Sequence, residues 1–297
     1  MNNAIAILSP GDMGHAVGRA LIQAGHDVVT CLTGRSAHTR ELAERAGLRE
    51  LPDLESVVAE AGLVLSILPP EAADGNATRV AEAMRAADAR PVFADCNAVS
   101  PDSARAMAAT IEAAGATFID AGIIGHGPGH GVPTRFYVSG PDTSALEALA
   151  GPEIMVKPVG AEVGRASGVK MCYAALTKGT FTLQTAVLIA AEALGLRDEL
   201  TEEFRFSQKP ALERMESMVP RIPADSARWI GEMQEIQATF ASAGVSPAFH
   251  QGAEWVFELL SRTPFAAETR ESMDTSRDLD ESVRVYAAHL GRRGAAD

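Results

Sequence analysis

"AIAILSPGDMGHAVG", residues 4–18, decides how the first half of this chain is read. Five apolar residues, Ala4–Leu8, run without a break into Ser9-Pro10-Gly11-Asp12-Met13-Gly14, and an Ala-rich amphipathic stretch follows. That order predicts a buried strand, a sharp turn and the start of a helix. A turn that cradles a phosphate reads G-x-G-x-x-G. Its glycines make the reversal, let the ligand approach the backbone, and let the helix pack close to the strand. Gly11 and Gly14 meet the second and third requirements. Ser9 stands at the first, and the proline after it predicts an extended conformation there. Anions are bound by backbone N–H groups at the helix start rather than by glycine as such. Ser9, Pro10, Gly11, Asp12, Met13 and Gly14 therefore read as a dinucleotide cradle or as a plain strand–helix turn.

Outward from this loop the pattern repeats. Short apolar runs at 28–32, 63–68, 92–94 and 117–119 alternate with helix-like stretches at 15–24, 37–46 and 101–114. Continuous apolar strands separated by helices predict a parallel sheet covered on both faces. Runs at 135–139 and 154–157 add two strands and close the sheet near residue 160. The fold class is thus α/β, with an N-terminal Rossmann-like doubly wound sheet over 1–160. Beyond it the texture turns helical: a stretch at 162–195 rich in Ala and Leu, then 202–219, 225–243 and 247–261. Residues 161–297 are therefore read as an all-helical substrate and dimerisation domain that begins with a long interdomain helix. Residues 291–297 read as a frayed tail.

The net charge of −13 on 297 residues opposes nucleic-acid phosphates and anionic lipid, and no Lys/Arg stripe offsets it. A few local cations can still serve one anionic small molecule. No apolar run reaches the roughly 18 residues of a membrane span, and no basic segment precedes an apolar one at the start. Both predict a cytoplasmic protein. Three separated cysteines, Cys31, Cys96 and Cys172, fit neither a disulfide framework nor a C-x-x-C metal site. Cys31 and Cys96 read as small buried hydrophobes.

A fold specific for NAD places an acid at the end of the second strand to hold the ribose 2′-hydroxyl. The sequence there is Thr33-Gly34-Arg35-Ser36, without an acid. Arg35 can pair with a 2′-phosphate, and Thr33 and Ser36 can donate to it, so NADP(H) is expected. The other reading is a surface turn with a solvated arginine. Leu68-Pro69-Pro70 and the run from Asp95 through Asn97 to Pro101 also break at carboxyl ends of strands, where open α/β sheets bind ligands.

In "SGVKMCYAALTKGTFTLQTAVLIAAEALG", Lys170, Tyr173, Thr177, Thr180 and Gln184 recur at spacings of three and four and share one helical stripe, with Lys178 beside it. Such a stripe on an apolar helix is costly unless it meets water or a ligand. A lysine there is suited to exchanging protons. A solvent-facing or subunit-facing stripe is the other reading.

SPGDMG with "AGHDV", "LPP", "DCNAVSP", "FIDAGIIGHGPG" and "GVKMCYAALTKG" occur in an order that resembles the β-hydroxyacid dehydrogenase family, which includes 3-hydroxyisobutyrate and 6-phosphogluconate dehydrogenases. The resemblance covers most of residues 4–180, whereas the helical second half resembles phosphogluconate dehydrogenase only distantly. It implies a homodimer, Lys170 as general acid/base, and Asn97, Gly125 and His126 near nicotinamide or substrate. The family's D-A-P-V-S-G-G reads here Asp120-Ala121-Gly122-Ile123-Ile124-Gly125-His126, so Ile124 replaces the serine that grips a substrate carboxylate. The asparagine four residues past the lysine is Ala174. Tyr173 and Lys178 are the expected substitutes, with Lys178 as an anion clamp, and Thr177 is expected to border the substrate with them. His126 and His130 read as parts of a flexible substrate loop rather than metal ligands. His250 and Trp229 read as core or interface packing. The expected activity is NADP(H)-dependent interconversion of a hydroxy compound and its carbonyl. The alternatives are imine reduction and a non-catalytic NADP(H) sensor.

Overall fold

The computed structural model describes residues 4–291; the tail segment at 292–297 lies outside them. The chain divides into two compact units, 1–172 and 173–297. The first alternates strand and helix: β1 (Ala4–Leu8), α1 (Asp12–Gln23), β2 (Val28–Thr30), α2 (Ala37–Ala46), β3 (Arg49–Glu50), α3 (Leu54–Glu60), β4 (Ala61–Ser66), α4 (Ala73–Ala86), β5 (Val92–Asp95), α5 (Pro101–Glu112), β6 (Phe118–Ile124), β7 (Thr134–Ser139), α6 (Ser144–Glu147) and β8 (Ile154–Pro158). The eight strands form one sheet in the order β3-β2-β1-β4-β5-β6-β7-β8. Every pairing is parallel except β6 with β7, where Asp120 faces Ser139 and Ile124 faces Arg135. A short loop at 125–133 can reverse the chain into a neighbouring strand, whereas a parallel return needs a crossover helix.

Both faces of the sheet are buried, which explains why its strands read as continuous apolar runs. Along β1, Ala4, Ala6 and Leu8 join one core with Val80, Met84, Phe93 and Phe118. Ile5 and Ile7 join the opposite core with Val17, Leu21, Leu65 and Ile119. Strands β1, β2, β4 and β5 are parallel, so their carboxyl ends and the loops that follow share one edge of the sheet.

The remaining helices are α7 (Arg165–Leu194), α8 (Arg197–Ser207), α9 (Lys209–Met218), α10 (Pro223–Ser242), α11 (Ala248–Ser261) and α12 (Leu279–Ala288). The stretch at 202–219 is two helices rather than one. Gln208 leaves helical geometry, and Pro210, which has no N–H to donate, sits in the first turn of α9. The second unit centres on Met233, Ile236, Phe257 and Tyr286, all buried, with the Tyr286 hydroxyl donating to Val219 O at 3.0 Å.

The division between units falls inside α7, whereas the sequence places it at 160. The reason is the carboxylate of Asp120, wholly buried at mid-strand. Its Oδ2 accepts from the backbone N–H of Gly164, Ala166 and Ser167 at 2.8, 3.0 and 3.1 Å, and from the Ser139 hydroxyl at 2.8 Å. Its Oδ1 accepts from the Ser167 hydroxyl at 2.5 Å. One side chain thereby satisfies donors at the start of α7 that the helix itself leaves unpaired, with its negative charge at the positive end of the helix dipole. The first turns of α7 thus belong to the sheet. Replacing Asp120 with Ala strands several buried donors at once and is expected to lower the unfolding free energy by about 3 kcal/mol, measured by urea denaturation. Asp120→Asn recovers little, because its amide NH2 faces donors. Wild-type stability in either variant would show that α7 docks without this carboxylate.

Candidate active site

The first loop makes its turn in an unexpected way. Ser9 has φ +61°, in the left-handed region, rather than the extended conformation its proline neighbour predicts. The tightness of the reversal sets this: a Cβ on Gly14 would lie 3.0 Å from Ser9 O, so strand and helix approach too closely for a wider turn. Serine occupies the glycine position at an energetic cost of about 1 kcal/mol. Beyond it, α1 has no side-chain cap, and a Cβ on Gly11 would meet nothing within 4 Å. The N–H groups of Asp12, Met13 and Gly14 therefore open the helix over free space.

The second loop is a turn closed by the Arg35 N–H donating to Leu32 O at 3.0 Å, with Gly34 at φ +74°. Thr33 donates to Pro52 O at 3.1 Å, and Ser36 caps α2 by accepting from the Thr39 N–H at 3.2 Å. Both hydroxyls therefore shape the loop. Arg35 is half-buried. Burial, and then the nearby guanidinium of Arg79 on α4, hold its pKa below the ordinary arginine value. Arg79 gave no signal in the sequence. Among the described residues neither arginine has an acidic partner.

Leu68-Pro69-Pro70 follows β4 and is fixed by Asn97. Asn97 Oδ1 accepts from the Leu68 N–H at 2.5 Å, and its Nδ2 donates to Asp95 Oδ1 and Ser66 Oγ at 2.5 and 3.2 Å. Asn97 is buried with three of its four amide hydrogen-bonding positions taken, and it fixes the 68–70 loop. Burial pushes the neighbouring Cys96 thiol well up, with Asp95 and Asp120 adding to the effect. Cys31, by contrast, is only half-buried, because β2 ends before it.

At the end of β6, Lys170 Nζ donates to Ile123 O at 2.8 Å. The helix reaches this point because Gly122 has no side chain: a Cβ there would lie 2.8 Å from Lys170 Cβ and 2.9 Å from Ala166 O. Gly125, at φ +108°, and His126 begin the loop to β7, whose neck is closed by Thr134 donating to His126 O at 2.7 Å. Gly127 lies against Met13 and Ala16 of α1, and the Gly129 N–H donates to Glu153 at 2.7 Å. The loop is anchored at both ends and borders the first turn of α1. The sequence missed Arg135, whose half-buried guanidinium rests against Gly125.

In the second unit, Lys178 is not a free anion clamp. It is nearly buried, 2.7 Å from Glu232 Oε2 and 5.2 Å from the centre of the Trp229 ring. Thr177 and Thr180 donate to the carbonyls of Tyr173 and Leu176 at 3.0 and 2.7 Å, so the helix itself satisfies those hydroxyls of the polar stripe. Tyr173 is exposed. Trp229 meets Phe257 edge-on, and His250 lies between Phe240 and Phe249, as core packing requires.

Residues 4–155 match the NAD binding domain of 6-phosphogluconate dehydrogenase. The chain belongs to this family. Residues 191–260 match a domain of unknown function, DUF1932. An uncharacterised 28.5 kDa protein of Methanothermus fervidus is 27% identical over 74% of this chain and 84% of its own length. A solved protein of unknown function, itself described as similar to 3-hydroxyacid dehydrogenases, is 28% identical with a TM-score of 0.63, covering 86% of this chain and 96% of that one. The 3-hydroxyisobutyrate dehydrogenase of Mycobacterium tuberculosis shares the fold at 22% identity and a TM-score of 0.64, over 96% and 99% of the two chains.

Membership assigns a dinucleotide to the β1–α1 edge, and the residues present fit one. The uncapped N–H groups of α1 and the open space over Gly11 suit a pyrophosphate, while the close approach at Gly14 leaves no room for a side chain. Ser9 is the test of this loop. Ser9→Gly is expected to be neutral to within about 0.5 kcal/mol, since glycine relieves the turn but loosens the unfolded chain. Ser9→Val is expected to cost about 2 kcal/mol, because a β-branched residue resists positive φ. Thermal unfolding of both variants reads the difference, and equal midpoints would show that Ser9 is not held left-handed.

Proposed function

We propose that this chain is an NADP(H)-dependent oxidoreductase that interconverts a β-hydroxyacid-like compound and its carbonyl, with Lys170 as the general acid/base. The observation that carries the reading is the seat of Lys170: a strand glycine and a backbone carbonyl fix its Nζ at the end of β6, the strand from which Gly125 and His126 continue. When bound, the nicotinamide supplies or accepts the hydride. In its neutral amine form Lys170 Nζ takes the hydroxyl proton as the carbonyl forms, and as the ammonium it returns that proton in the reverse direction. Asn97 acts one step back by holding the 68–70 loop, and His126 and Gly125 border the substrate. A hydroxy–carbonyl pair is favoured over C=N reduction and over a cofactor sensor, because neither calls for a lysine so placed.

Arg35 and Arg79 support the choice of NADP(H). Two guanidinium groups beside one another without a carboxylate raise each other's energy, and a 2′-phosphate removes that cost. The α2 start capped by Ser36 lies in the same loop. The reading extends to a cytoplasmic homodimer in which exposed Leu176, Leu183 and Leu194 of α7 are covered by a second copy.

Two experiments test the reading. Arg35→Ala combined with Arg79→Ala is expected to weaken NADPH binding by about 10- to 100-fold while leaving NADH within about twofold, by fluorescence titration. Equal losses for both cofactors would refute a 2′-phosphate site. Lys170→Met is expected to lower kcat about 1000-fold at unchanged NADPH affinity, scored over a panel of hydroxy acids and aldehydes. Undiminished turnover would remove Lys170 from the mechanism.

A further inference from the structure

Like Arg35, Arg135 is a half-buried arginine of the first unit. It lies on β7 directly opposite Ile124 of β6. The residue is half-buried and its guanidinium lies next to Gly125: a Cβ on that glycine would be 3.2, 3.6 and 3.7 Å from its Nη2, Cζ and Nη1 atoms. Among the described residues it has no carboxylate and no side-chain hydrogen bond. Folded over backbone rather than extended away from the surface, it keeps its donors accessible yet unpaired, an arrangement suited to taking up an anion.

Its direction is fixed by the sheet. Opposed residues of an antiparallel pair put their side chains on the same face. Asp120, Gly122 and Ile124 alternate onto one face of β6, and this face receives α7, because Asp120 bonds its first turn and Gly122 abuts Lys170. Their partners Ser139, Tyr137 and Arg135 share that face, and Ser139 accepts from the Ala166 N–H at 3.0 Å, in keeping with this register. Arg135 therefore stands one strand repeat, about 7 Å, beyond the pair that meets Lys170. A proton-exchanging ammonium and a guanidinium without a partner are thus set side by side at the same strand ends.

We infer that Arg135 anchors the carboxylate of the substrate while Lys170 acts on its hydroxyl oxygen. The inference rests on the dehydrogenase reading of this site and supplies what that reading lacks. Ile124 has no hydroxyl with which to grip a carboxylate, and Lys178 is already paired with Glu232. The planar fork of Arg135 offers two parallel N–H groups to a carboxylate, which a hydroxyl does not. With the two cations about one strand repeat apart, the substrate is a small acid carrying its hydroxyl a few atoms from the carboxylate.

Calorimetric titration of malonate into protein saturated with NADP+ tests this apart from turnover. Wild type is expected to bind it saturably, Arg135→Leu at least about tenfold more weakly, and Arg135→Lys in between, with NADPH titrations superimposable in all three. Absence of saturable binding to wild type, or equal affinity in Arg135→Leu, overturns the inference. Tighter binding of inorganic phosphate than of malonate overturns the carboxylate assignment. With 3-hydroxypropionate and its methyl ester as alternative substrates, the Leu variant should raise KM for the acid about 100-fold and leave that for the ester unchanged. If malonate separates the variants but no hydroxy acid is turned over, Arg135 stands as an anion site and the dehydrogenase reading falls.

Discussion

The carboxylate of Asp120 is the interaction on which the functional geometry depends. It lies at full burial inside a strand, where an isolated charge would be prohibitive, and is tolerated because backbone and hydroxyl donors converge on it. Those donors belong to the start of α7. The consequence is mechanical: the helix bearing Lys170 cannot shift along β6 without breaking several charge-assisted bonds together. Gly122 then lets the helix descend until Lys170 reaches Ile123 O. Without the carboxylate the helix would have no fixed axial position, and without the glycine it would stand off the strand.

A second constraint is electrostatic. With a net charge of −13, several arginines of this chain find an acid, as Arg49, Arg197, Arg228, Arg270 and Arg277 do. Arg35, Arg79 and Arg135 do not, although acids are abundant. Two of them are half-buried, where an unmatched charge is dearest. Half-buried and unmatched, Arg35 and Arg135 are where an anion from outside is best received.

The sheet was legible because burial on both faces writes itself as continuous apolar strands, and the family resemblance followed from the order of the loops between them. The turn and the helix start were legible at Gly11 and Gly14, whose chemistry is local. What the sequence hid was whatever depends on register or reach. The positive φ of Ser9 follows from how close α1 comes to β1, which no dipeptide rule carries. The part Asn97 plays in fixing the 68–70 loop was hidden, because its partners Leu68 and Ser66 are some thirty positions away. Lys178 looked free until the fold brought Glu232 to it from 54 positions on.

Arg135 shows the same limit most sharply. In the sequence it is one arginine in a strand of mixed character, and nothing near it suggests an anion. Its meaning comes from the single antiparallel pairing in the sheet. A parallel β7 would reach the opposite end of the sheet with this residue and leave the end of β6 without a cation. Reversing the chain through Gly125 and His126 instead returns it beside the strand it has just left, so the first residues of β7 face the last of β6. The same glycine that makes the reversal then presents bare backbone for the guanidinium to lie on. Position 124 can hold an isoleucine because the polar function moves across the pair to position 135, and a substitution that looks like a loss along the chain becomes an exchange across the sheet.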